Sequence, residues 1–98
     1  MPYIKQGVRC EIDSRIDELI SYLRSYDKDI GGIINYIITR VTTEALLPKE
    51  GMSYKAGSNM IKELECSKLE IYRRLVAPYE DKCIVKNGDL KVFKKGKQ

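Results

Sequence analysis

A chain of 98 residues with 43% hydrophobic and 33% charged side chains has room for one modest core, and that balance excludes global disorder. It contains no histidine, which removes the commonest general base and metal ligand. Its formal net charge of +4 is unevenly placed: residues 1–57 carry eight basic and eight acidic groups, whereas residues 82–98 carry six lysines and one aspartate.

Cys10, Cys66 and Cys83 are an odd set without a CxxC spacing. They point away from a disulfide framework and from a zinc site, and no cofactor is expected. The opening MPYIKQGVRCEID lacks the apolar centre of a signal peptide, and no run is long enough to span a membrane. A single cytoplasmic domain over 1–98 is the expectation.

Residues 1–8 read as an extended arm, with Tyr3, Ile4 and Val8 available to the core. A first helix is predicted over about 9–26, because Ile12, Ile16, Leu19, Ile20 and Leu23 recur on one face. Asp27 to Gly32 break that pattern, and either aspartate there can cap the next helix. A second helix is predicted over about 33–46. Ile34, Ile37, Ile38, Val41 and Ala45 favour it over a strand despite the β-branched content. Its other face presents Asn35, Tyr36, Thr39, Arg40, Thr42 and Thr43.

Pro48 ends that helix, and residues 48–57 read as a loop anchored in the core by Tyr54. A long third helix is predicted over about 58–77, capped by Ser58 and stopped by Pro78. Met60, Ile61, Leu64, Leu69, Ile71, Tyr72, Leu75 and Val76 cover about half its circumference. It is therefore read as the central helix, flanked by the other two or by a second subunit. Asn87-Gly88 is a favoured type I′ turn, which predicts a β-hairpin over about 82–93, followed by a basic tail over 94–98. The expected fold is mainly α: a three-helix core with a C-terminal hairpin.

No phosphate loop, dinucleotide fingerprint or nucleophile elbow is present, so an enzyme is not expected. Glu80, Asp81 and Asp89 are too sparse to argue for a cation site. Binding has better parts. Arg73 and Arg74 are planar donors suited to phosphate, although Glu70, one turn earlier, can neutralise them. Lys68 falls within the apolar arc, where an unpaired ammonium is costly and Glu65 is a ready partner. Tyr36, Tyr72 and Tyr79 can stack on a ring or fill a core, and Asn35 and Arg40 can hydrogen-bond to a ligand.

The opening MPYIKQ, the stretch Gly32–Arg40 (GIINYIITR) and the block Leu64–Asp89 (LECSKLEIYRRLVAPYEDKCIVKNGD) resemble a family of small uncharacterised proteins of bacteria and their phages. The likeness covers most of the chain. It marks Asn35, Tyr36, Glu65, Lys68, Glu70, Tyr72, Arg73, Arg74, Pro78, Tyr79, Glu80, Asp81, Asn87, Gly88 and Asp89. Gly32-Ile33-Ile34 departs from a Gly-Asp-hydrophobic pattern, and Met60 to Glu63 replace a more apolar, Gly-containing segment. The resemblance implies a phage-linked setting and no particular activity.

The leading expectation is a homo-oligomer that sequesters an anionic, nucleotide-like ligand through Arg73, Arg74, Lys68, Tyr72, Asn35, Tyr36, Arg40 and Tyr79. The alternatives are a nucleic-acid-binding accessory protein that grips phosphates through its Lys-rich tail, and a protein–protein inhibitor of a host factor.

Overall fold

The structure, a computed structural model, describes residues 1–95. Its elements are α1 (Gln6–Arg24), α2 (Gly31–Leu46), α3 (Tyr54–Ile71), one π-helical turn (Tyr72–Val76), α4 (Ala77–Asn87) and the short α5 (Lys91–Lys95). No strand occurs among the described residues, so the fold is helical and the expected hairpin is absent. Beyond Lys95, the expected basic tail lies outside the described residues.

The hairpin fails for a reason that can be located. Asn87-Gly88 ends α4 instead of turning a ribbon: Gly88 sits at φ 90° and donates its N–H to the Ile84 carbonyl at 2.8 Å. A helix C-terminus and a type I′ turn both favour glycine at positive φ, so the dipeptide serves either. A running helix gains a hydrogen bond with each added residue, whereas a two-stranded ribbon is marginal on its own.

Pro78 does not stop the chain's helical course. In a continuous α-helix its ring would collide with the Arg74 carbonyl, and its missing N–H would leave a gap in the ladder. The π turn absorbs both defects. There the Ala77 N–H donates to the Tyr72 carbonyl, five residues back, and Pro78 falls in the first turn of α4, where an N–H is dispensable.

The helix starts also have local causes. Asp29 Oδ1 accepts a 2.9 Å bond from the Gly31 N–H at the head of α2. The threonines Thr39 and Thr43 donate back to the carbonyls of Asn35 and Thr39 at 2.8 and 2.6 Å. Their hydroxyls are thereby spent on the helix itself. Helix α3 begins earlier than expected because Ser53, not Ser58, caps it: Ser53 Oγ accepts from the Ala56 N–H at 3.1 Å.

The chain divides into two compact units, Met1–Leu64 and Glu65–Gln98. The first has a small core in Ala56 and Met60, which are 6% and 7% exposed. Gly57 belongs to it, because a Cβ there would lie 2.8 Å from Met52 Cε. The N-terminal ammonium lies 3.9 Å from Glu63, and Tyr22 and Tyr26 pack edge to face at 5.5 Å. Tyr54, expected as a core anchor, is 91% exposed; as the first residue of α3 it needs no burial to serve the helix.

The second unit contains no buried side chain among the described residues. Leu69, Ile71, Tyr72, Leu75 and Val76, expected to face neighbouring elements, are all exposed. No helix among the described residues is long and apolar enough to cross a membrane.

Candidate functional site

Helix α2 carries a hollow. At a spacing of four, Tyr36, Arg40 and Glu44 make one row and Ile37, Val41 and Ala45 the next, and the two rows line a groove of about 450 Å³. The first row is polar and pre-ordered; the second is an apolar floor. The Arg40 guanidinium lies 5.8 Å from the centre of the Tyr36 ring, within the range of a cation–π contact. On its other side, Arg40 Nε and Nη2 donate to the two carboxylate oxygens of Glu44 at 2.7 and 3.1 Å.

This bidentate pair sets the local electrostatics. The hydrogen bond to Glu44, and after it the one to Tyr36, favours the charged guanidinium and raises the Arg40 pKa. Conversely, the same bond from Arg40 holds the Glu44 carboxyl below the usual carboxylate range. Both side chains are more than half exposed, so the pair orients Arg40 more than it stabilises the fold.

The remaining site residues are distributed as follows. Asn35 precedes the row and its side chain has no partner among the described residues. Lys68 is not desolvated: it is 69% exposed and pairs with Glu65 at 2.9 Å. Arg73 is held by Glu70, with Nη2 at 2.6 Å and Nε at 2.9 Å from the same oxygen. Arg74 has no partner among the described residues. The Tyr72 hydroxyl donates to Glu80 Oε1 at 2.6 Å across the π turn, and that bond raises the phenol pKa. Tyr79 is exposed.

The structure thus brings Tyr36 and Arg40 into one groove in the first unit, while Lys68, Tyr72, Arg73, Arg74 and Tyr79 belong to the second. Glu44 is the groove residue that sequence reasoning missed. Its signal was present, since an acid four residues after an arginine on a helix is a standing ion-pair spacing. Among the described residues no group of three or more cysteines and carboxylates is placed to hold a metal.

Comparison with curated proteins and with solved structures yields no match. Residues 1–90 match a family profile, and the chain belongs to that family, the domain of unknown function DUF6899.

Proposed function

We propose that the protein is a non-enzymatic binding protein that assembles as a homo-oligomer and sequesters an anionic, nucleotide-like ligand. The observation that supports this reading is the α2 groove, where an aromatic ring and a guanidinium share one wall above an apolar floor. The groove lies open on the face of one helix, so enclosing a ligand there calls for a second subunit to cover it. Tyr36 offers a ring face for a base. Glu44 occupies two N–H groups of Arg40 and Tyr36 also takes a bond from it; a guanidinium has five N–H groups, so at least two remain for a phosphate. Asn35, adjacent to Tyr36, supplies an amide for a base edge or ribose. The phage-linked setting implied by the resemblance makes capture of a host signalling nucleotide, as an anti-defence sponge, the use of such a site. Arg73, Arg74 and Lys68 are not required by this version.

Native mass spectrometry before and after denaturation tests the proposal, followed by titration with linear and cyclic nucleotides. Expected is an oligomer carrying extra mass in nucleotide-sized steps, released on denaturation. Tyr36→Ala is expected to weaken nucleotide binding roughly tenfold through lost stacking, with an unchanged circular dichroism spectrum, because the side chain is exposed. A bare protein that takes up none of these nucleotides overturns it. That result would favour the second reading, a protein–protein module that blocks a host factor, which the exposed apolar side chains of the second unit support.

A further inference from the structure

The second unit presents two adjacent rows of side chains at a spacing of four. One is Ile71, Leu75, Tyr79 and Cys83; the other is Lys68, Tyr72, Val76 and Glu80. In an α-helix each such step drifts by about 40° around the axis. The π turn at Tyr72–Val76 holds more residues per turn, so each rotates less about the axis, which counters that drift where the rows cross it. The Tyr72–Glu80 hydrogen bond, spanning eight residues, shows that the second row stays on one side of the helix. Within this surface Leu75 is 70% exposed, and Ile71, Tyr72, Val76 and Tyr79 are exposed as well.

A helix with no buried side chain is marginal in water and needs an apolar partner to persist. The charge order of the second row identifies that partner. It begins with a cation, Lys68, and ends with an anion, Glu80, with Tyr72 and Val76 between them. Laid antiparallel on an identical row, with a two-fold axis at the level of residue 74, Lys68 meets Glu80 of the other copy twice, and Tyr72 meets Val76 twice. A parallel arrangement would set lysine on lysine and glutamate on glutamate. The pattern is therefore self-complementary in one orientation only, as an isologous contact requires.

We infer that this surface docks a second copy of the chain, antiparallel, with Ile71, Leu75 and Tyr79 as the apolar centre and reciprocal Lys68–Glu80 pairs at both ends. The inference rests on the oligomeric part of the function proposed above and is independent of the ligand. Lys68 already pairs with Glu65 at 2.9 Å and Glu80 already accepts from Tyr72 at 2.6 Å, so on docking both are shared with the other copy.

Charge exchange tests it by sedimentation at micromolar concentration. Lys68→Glu leaves two acids in the row and Glu80→Lys leaves two lysines, so each variant alone is expected to dimerise at least about tenfold more weakly than the natural protein. Mixing the two variants should restore the dimer as a heterodimer, because each end then pairs opposite charges. The double variant Lys68→Glu, Glu80→Lys should self-associate again. Dimers that persist in both single variants, or a mixture that stays as weak as its components, overturn the inference. A natural protein that is monomeric but still binds nucleotide overturns this interface while leaving the groove standing. A dimer that follows the charge rule but binds no nucleotide does the reverse.

Discussion

The two units solve the problem of burial differently. The unit Met1–Leu64 owns a core, small as it is, in Ala56 and Met60, and its chain end is drawn towards Glu63. The unit from Glu65 onward has helices, caps and ion pairs but no covered side chain among the described residues. Local rules alone can therefore set the course of a backbone without supplying its stability. The first unit carries part of its own stability in that core; the second shows no buried side chain among its described residues that could do the same.

The sharpest break of that contrast is Ile71→Asp with Leu75→Asp. Two charges in the centre of the inferred interface should cost at least about 4 kcal/mol of association. The expected outcome is a monomer in sedimentation, with loss of helical signal from the second unit. Retention of both assembly and helicity would show that the second unit does not depend on that surface.

Met60→Ala probes the other side. Removing a buried methionine side chain should cost about 2–3 kcal/mol and lower the thermal midpoint at fixed protein concentration, because Met60 is 7% exposed. Unlike the double aspartate variant, it should leave the oligomeric state intact.

The smallest effect concerns pH. Arg40 depresses the Glu44 pKa, so the pair contributes above the unfolded carboxylate range and is lost as pH falls through the lower, folded value. The difference in thermal midpoint between the natural protein and Glu44→Gln should therefore be largest near neutrality. It should shrink as pH falls below about 4. A difference that is constant from pH 7 to pH 2 would remove the ion pair from the account.

Much of the fold was legible where one residue type had one use. The i, i+4 apolar spacing of Ile12, Ile16 and Ile20 located α1, and of the two aspartates offered as caps before α2 it is Asp29 that accepts from the Gly31 N–H. Illegibility came from residues with two uses. Gly88 at positive φ suits a hairpin turn and a helix end equally. Pro78 reads as a stop unless a π turn makes room for it, and that rearrangement has no simple signature in the letters.

The candidate site shows the same division. Tyr36 and Arg40, four apart, were placed together by helix geometry. Lys68 falls on an apolar arc, which implies a cover, and no described residue of its unit supplies one. Periodicity identifies a face that wants burial. It does not say whether the same chain buries it.

The π turn has a consequence for the spacing of the chain. A turn closed by a bond five residues back holds one more residue than an α-turn. Deleting one residue there would restore the α-helical spacing with little net rotation downstream, but it would set the Pro78 ring against the carbonyl four residues before it. Between Ile71 and Tyr79, the count of residues is part of the design.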